Sequence, residues 1–254
     1  MVAAMNWFDT LQWWEALLLV AGGAAAGTIN TIAGGGSTLT VPLLVLAGVP
    51  GVSANGSNRV GILASNIASS RSFRRLGVDG SAHAGKVLIP VVLGSLGGSF
   101  GISQLTDETF ETVFGLLMVP LIILSVRKPN FRTDAAQWTP LVTFAVFFAI
   151  GVYGGAVQAG VGLVLLAALQ RAGYDLVTAN SIKVLVILAV TAVALPVFII
   201  QDKVVWLPAL ILAVGFMIGG WMGAHATVRG GEKLVRIVMV IAALVLAAKL
   251  LNLL

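Results

Sequence analysis

Apolar residues run along the chain in blocks that polar residues, glycines and prolines interrupt. Between these breaks the pattern predicts ten segments, at residues 12–32, 37–48, 54–75, 86–104, 109–126, 138–157, 160–171, 178–200, 204–226 and 232–252. Crossing about 30 Å of hydrocarbon takes about 20 helical residues, so most of these segments are long enough to span a bilayer. Segments 37–48 and 160–171 are too short to cross as helix alone, and each lies between two breaks, which is typical of a broken or re-entrant helix.

The composition indicates a polytopic membrane protein. Of the 254 residues, 58% are hydrophobic and 10% are charged, and the mean hydropathy is +1.01. A soluble domain carries about a quarter charged residues, so a soluble enzyme and a nucleic-acid-binding protein are excluded. The chain has no cysteine, which excludes disulfides and thiolate chemistry. The first ten residues contain no Lys or Arg, so we expect the first apolar segment to be retained rather than cleaved as a signal peptide.

The two halves of the chain resemble each other at an offset of 125 residues. In so apolar a chain the matches least expected by accident are Asn55 with Asn180 and Gly35 with Gly160. The pattern predicts an extracytoplasmic N-terminus and two membrane repeats of about five helical segments each, joined by a basic cytoplasmic linker. The predicted bounds are 1–11 for the N-terminus, 12–127 for the first repeat, 128–137 for the linker and 138–254 for the second repeat.

Clusters of basic residues predict the orientation of the repeats. Lys and Arg collect at 71–86, at 127–132 and at 229–236, and such clusters favour the cytoplasmic side. The third cluster reaches that side only if the short segment 160–171 completes a crossing. Both termini then lie outside the cytoplasm, and the repeats have opposite orientations. The predicted fold is therefore all-α, with two inverted-topology repeats that each contain a short broken helix, as in many secondary transporters.

The breaks and two cations predict an anion site near the membrane midplane. Glycines let a solute approach peptide N–H groups closely, and helix N-termini carry partial positive charge. Arg59 and Lys183 lie in otherwise apolar segments, where an intramembrane cation costs about 2.5–3.5 kcal/mol, and no Asp or Glu falls in the middle of a segment. The predicted lining residues are Gly34, Gly35, Gly36, Ser37, Asn55, Asn58, Arg59, Gln158, Asn180 and Lys183.

Structural interpretations of the same residues stay open. The glycines at 34–36 could serve close helix packing, Arg59 and Lys183 could extend to an interface, and Asn55 and Asn180 could cap broken helices. No phosphate-binding loop, paired carboxylates or His/Asp/Glu metal cluster can be assembled from the sequence. We therefore predict no enzymatic activity, no cofactor and no metal.

The stretch from Gly27 to Arg59 carries a more specific signature. It contains Ala33-Gly34-Gly35-Gly36-Ser37, Val41-Pro42, Gly48-Val49-Pro50 and Ala54-Asn55-Gly56-Ser57-Asn58. This signature resembles that of the TauE/SafE sulfite exporter family, also called the TSUP permeases. The second repeat departs from the family pattern, with Gln158-Ala159-Gly160-Val161-Gly162 at its first break and Ala167 where Pro42 has its equivalent. The resemblance implies an inner-membrane permease for sulfur-containing anions such as sulfite or organosulfonates.

The residues and the resemblance together predict a carrier that moves a small oxyanion by alternating access. Its predicted partners are the small anionic substrate and the lipid bilayer, with no nucleic acid, and a homo-oligomer is compatible with the sequence. Gln158 is a candidate amide donor to a sulfite or sulfonate oxygen. The alternatives are a passive anion channel, which the same electrostatics allow, a transporter of another solute such as a metal cation, and a membrane scaffold.

Overall fold

The protein is described by a computed structural model that covers residues 13–126 and 138–250. The predicted N-terminal segment 1–11 and linker 128–137 lie outside the described residues. The described part is all-helical and contains no strand. Its helices are α1 (Trp13–Ile32), α2 (Ser37–Leu46), α3 (Gly51–Arg75), α4 (Ser81–Ser103), α5 (Asp107–Val126), α6 (Pro140–Ala156), α7 (Val161–Arg171), α8 (Leu176–Ile200) and α9 (Trp206–Leu250).

The all-α prediction is confirmed, and the helix bounds follow the predicted segments closely. The last two segments correspond to the two parts of α9, which is broken at Gly231, where φ is 59° and ψ is −161°. Among the described residues, α1, α8 and the first part of α9 (Trp206–Gly231) are long and apolar enough to cross a membrane. Helices α2, α6 and α7 and part of α4 (Val87–Ser103) are apolar but shorter. Within these described ranges, fewer helices than predicted therefore combine full length with high apolarity.

Helix α3 is long but polar, and its burial explains how it can exist in a membrane protein. Its polar side chains find partners inside the protein: Asn66 Nδ2 donates to Ile62 O at 2.7 Å, and Ser69 Oγ lies 2.9 Å from Thr31 Oγ1. Hydrocarbon offers no hydrogen-bond partner, so a helix of this polarity is stable only when other helices surround it. Helices α3 and α8, which are buried along most of their length, form the centre of the protein.

Large apolar side chains cover the outside of the helices that surround this centre. The exposed fractions are 61% for Leu18 in α1, 68% for Ile89 in α4, 77% for Leu141 in α6 and 53% for Leu210 in α9. A soluble monomer rarely exposes apolar patches of this extent. This surface is therefore the lipid-facing side of a membrane protein.

Glycines bring the outer helices into backbone contact across the two halves of the chain. A Cβ added at Gly219 of α9 would lie 2.2 Å from Ala24 O of α1, and one at Gly98 of α4 would lie 2.0 Å from Val152 O of α6. Small residues permit this close approach between membrane helices. The first helix of each half therefore packs against a late helix of the other half.

The contacts between the halves are reciprocal, and the helix bounds follow the 125-residue register. Helix α8 begins and ends 125 positions after α3, and α9 begins 125 positions after α4. The turn before α9 contacts α3, where Val205 N donates to Ser57 Oγ at 2.8 Å. The turn before α4 contacts α8 in the same way, where Gly80 N donates to Ser181 Oγ at 3.0 Å. Each half therefore supplies the other with matching contacts.

Two adjacent glycines in α4 provide a matched test of this packing. Gly98→Ala places a methyl group against the backbone of α6, whereas Gly97 is exposed and an added Cβ there meets nothing within 4 Å. We expect Gly98→Ala to destabilise the protein by about 1–3 kcal/mol because the helices must separate. Gly97→Ala should be neutral or slightly stabilising, since alanine favours helix by about 0.5–1 kcal/mol. Thermal unfolding in detergent measures both, and equal melting temperatures would contradict the packing.

Candidate functional site

Two breaks in the chain, one from each half, meet in the buried centre. Between α1 and α2 the backbone turns at Gly34, whose φ is 88°, and between α6 and α7 it turns at Gln158 and Gly160, whose φ values are 61° and 70°. A Cβ added at Gly34 would lie 2.2 Å from Gly162 Cα. The two backbones therefore touch, and the N-termini of α2 and α7 begin beside each other.

Arg59 of α3 binds the end of α6 in the other half. The side chain is fully buried. Its Nη1 donates to Gly154 O at 3.2 Å, and its Nη2 donates to Gly155 O at 2.5 Å and to Ala156 O at 3.0 Å. These carbonyls belong to the last turn of the helix, where backbone acceptors lack intrahelical donors. The predicted intramembrane cation thus has a backbone partner, the negative end of a helix.

Lys183 of α8 binds the end of α1 in the reciprocal way. Its Nζ is buried and donates to Asn30 O at 2.9 Å and to Thr31 O at 2.7 Å. An ammonium group has three donors, and these two bonds leave one. Each cation therefore binds the end of a helix that precedes a break. Arg59 binds α6, before the break at Gln158, and Lys183 binds α1, before the break at Gly34.

Asn55 and Asn180, the matched asparagines of the two halves, act at the same helix ends. Asn55 Nδ2 donates to Ala156 O at 2.8 Å, and Asn180 Nδ2 donates to Ile32 O at 2.8 Å. Each amide thus satisfies a terminal carbonyl of a helix from the opposite half. The bonds are to the C-terminal carbonyls of α6 and α1 rather than to a helix N-terminus, and they place both asparagines beside the breaks.

Gln158 already has polar contacts in this conformation. Its Nε2 donates to Thr191 Oγ1 at 2.5 Å, and its Oε1 accepts from Arg59 Nη1 at 3.3 Å. The guanidinium carbon of Arg59 also lies 4.6 Å from the centre of the Phe198 ring. The structure therefore brings Arg59 and Gln158 together, and one amide hydrogen of Gln158 is engaged within the protein.

The buried centre carries net positive charge. Two cations and the N-termini of α2 and α7 face the C-termini of α1 and α6, and each helix end carries only about half a charge. No Asp or Glu side chain that the structure describes is buried. The carbonyls therefore balance the two cations only in part.

Open space lies beside the break of the first half. Gly35 is buried, yet a Cβ added there meets no heavy atom of the described residues within 4 Å. The neighbouring Gly36 is different, because a Cβ there would lie 2.4 Å from Ala26 O. The space therefore borders the N-terminus of α2 on the side of Gly35.

The sequence analysis missed two buried polar residues at this place, Asn30 and Thr40. Asn30 lies in the last turn of α1, and Thr40 lies in the first turn of α2, where its Oγ1 donates to Asn58 Oδ1 at 2.5 Å. Both are polar residues inside predicted apolar segments, and this polarity is the sequence signal that could have identified them. Among the described residues, no group of three or more His, Cys, Asp or Glu could hold a metal ion.

Comparison with known proteins gives consistent relatives. Residues 19–250 match the family described as Sulfite exporter TauE/SafE. The chain is 26% identical over 230 residues to the probable membrane transporter protein YfcA of Escherichia coli K12, with 89% of this chain and 86% of that protein covered. It is 25% identical over 230 residues to the probable membrane transporter protein ORF9 of a Sinorhizobium species, with 89% and 88% covered.

A probable membrane transporter protein of Haemophilus influenzae is 24% identical over 232 residues, which cover 90% of this chain and 91% of that protein. No solved structure matches the chain. The family match spans nearly the whole membrane region, including both breaks and both buried cations. The chain therefore belongs to the TauE/SafE sulfite exporter family of membrane transporters.

Proposed function

We propose that the protein is a permease for small sulfur-containing oxyanions such as sulfite or organosulfonates. The observation that carries this proposal is the meeting of the α2 and α7 N-termini beside two buried cations, Arg59 and Lys183. The permease would lie in the inner (plasma) membrane with both termini outside the cytoplasm, as the positions of the basic clusters predict.

The chemistry of the site fits an oxyanion. Helix N-termini present several N–H groups to one point and carry partial positive charge. A sulfite or sulfonate group has three oxygens that accept hydrogen bonds from different directions. The description of the family as sulfite exporters supports the same class of substrate.

The proposed mechanism is alternating access between two inverted repeats. Reciprocal contacts between the halves support it, because a twofold arrangement gives two equivalent ways to open around one site. Arg59 and Lys183 each bind a helix of the opposite half, so movement of one half against the other acts directly on these bonds. Gly34 and Gly162, one from each half, lie in contact, so the same movement would act on this contact as well.

Sulfite counterflow in proteoliposomes tests the proposed function. We expect saturable uptake of radiolabelled sulfite that unlabelled sulfite inside the vesicles accelerates, because a carrier exchanges one solute per conformational cycle. Chloride should compete poorly, since it offers no array of oxygens. Empty liposomes provide the control. Single-channel anion currents would indicate a pore instead, and uptake of metal ions without sulfite flux would overturn the substrate class.

A further inference from the structure

We infer that the oxyanion binds off the centre of the protein, against the N-terminus of α2, where the side-chain amides of Asn30 and Asn58 donate to it. This inference rests on the proposed function and deepens it, because it assigns the main contacts to one half. Asn30 was not among the residues expected from the sequence.

Both amides are buried donors without a partner. Asn58 is fully buried and Asn30 is 4% exposed, and within the described residues neither Nδ2 atom has a hydrogen-bond partner. Most buried polar groups in proteins are hydrogen-bonded, and leaving one without a partner is destabilising. Two such donors in one place indicate an acceptor that arrives from outside the chain.

The two asparagines border the same turn of backbone. The Cβ of Asn30 lies 2.7 Å from the position that a Cβ on Gly36 would occupy. Asn58 reaches the first turn of α2 through Thr40, whose Oγ1 lies 2.5 Å from Asn58 Oδ1 and 3.3 Å from Gly36 O. The Thr40 hydroxyl thus orients the Asn58 amide with its nitrogen free to donate.

The backbone and one cation complete the set of donors. At the start of α2, the backbone N–H of Thr38 donates to Gly35 O and that of Leu39 donates to Gly36 O. The backbone N–H groups just before Thr38 therefore precede the hydrogen bonds of the helix. Lys183 Nζ, which lies 2.9 Å from Asn30 O, contributes the positive charge. The open space beside Gly35 adjoins this turn.

The second half lacks the equivalent residues. In the 125-residue register Asn30 corresponds to Gly155, and Thr40 corresponds to Leu165. The N-terminus of α7 therefore lacks residues that match Asn30 and Thr40, and the amide beside it, that of Gln158, already donates to Thr191 Oγ1. The site is asymmetric, and it holds one oxyanion rather than a symmetric pair. A three-oxygen group such as that of sulfite matches donors from two amides and a helix N-terminus.

Sulfite titration of the purified full-length protein by calorimetry in detergent tests this assignment. Asn58→Leu removes one donor to a charged ligand and should weaken sulfite binding about tenfold or more. Asn30→Asp keeps the side-chain shape but sets a carboxylate against the anion, so we expect at least about 100-fold weaker binding. Asn66→Leu is the matched control, because Asn66 lies on the same helix and its Nδ2, among the described residues, bonds to Ile62 O of that helix. Its sulfite affinity should equal that of the wild type, with one site per chain.

The outcomes separate this inference from the proposed function. Wild-type affinity in both Asn58→Leu and Asn30→Asp, with sulfite still bound by the wild type, overturns the inference and leaves the permease intact. Two sites per chain overturn the asymmetry. Absence of sulfite and sulfonate binding by the wild type itself overturns the proposed function, and the inference fails with it. Should either variant fail to fold, Thr40→Val removes the hydroxyl that orients Asn58, and unchanged affinity in that variant also overturns the inference.

Discussion

Replacement of Arg59 by glutamine is expected to abolish sulfite transport and to destabilise the protein by about 3–5 kcal/mol. The guanidinium donates to three terminal carbonyls of α6, and a glutamine side chain is too short to replace these bonds. Buried carbonyls without donors cost about 1–3 kcal/mol each. The same change removes a positive charge from the centre, so sulfite loses an electrostatic partner while the break that follows α6 loses its anchor.

Two further variants isolate the cause of this effect. Arg71→Gln is the matched control, because Arg71 lies on the same helix but is exposed, so transport and stability should stay close to wild type. Arg59→Lys keeps the charge without the planar fork that serves several acceptors, and it should restore part of the sulfite affinity but little of the stability. Sulfite counterflow and thermal unfolding report the two effects separately. Wild-type transport by Arg59→Gln would remove Arg59 from the site.

The sequence predicted where the helices break because each break carries a strong local signal. The glycines at 34–36 and Gly160 need no tertiary information to interrupt a helix, and in the structure α2 and α7 begin at these places. Helix α3 shows where local hydropathy fails. Its serines and asparagines are tolerated because other helices pack around α3, and a count of apolar residues cannot detect neighbouring helices.

The partners of the two cations could not be predicted from the sequence. The positions of Arg59 and Lys183 in the segments indicated intramembrane cations, with extension to an interface as the alternative, and the cost of burial implied a function or a partner. The partners are backbone carbonyls 95 to 97 residues away for Arg59 and 152 to 153 residues away for Lys183. Every residue carries such a carbonyl, so only the packing of the two halves selects the ones that are used.

The hydrogen bonds of Arg59 and Lys183 limit the charge that either cation can offer to an anion. A free cation would offer an anion all of its charge, whereas Arg59 and Lys183 share theirs with helix ends. In the proposed site, each cation therefore fixes the geometry of a break and offers the oxyanion only part of its charge. Uncharged donors such as Asn58 then gain importance, because directional hydrogen bonds can distinguish an oxyanion from a halide.

Replacement of Gly34 by alanine is expected to abolish sulfite transport, because the two breaks can no longer touch. The added Cβ would lie 2.2 Å from Gly162 Cα, and backbone atoms cannot rotate away as a flexible side chain can. The residue also has a φ of 88°, a conformation that costs an alanine about 1–2 kcal/mol. We therefore expect a lower melting temperature together with a loss of counterflow.

Gly48→Ala separates the steric contact from the backbone conformation. Gly48 has the same φ of 88°, but it is exposed and an added Cβ there meets nothing within 4 Å. This variant should lose about 1–2 kcal/mol of stability and retain sulfite counterflow. Equal transport by Gly34→Ala and Gly48→Ala would show that the contact between the breaks is dispensable. If only Gly34→Ala loses transport while the two variants are equally stable, transport depends on the close approach of the α2 and α7 N-termini. Gly34 makes this contact and Gly48 does not.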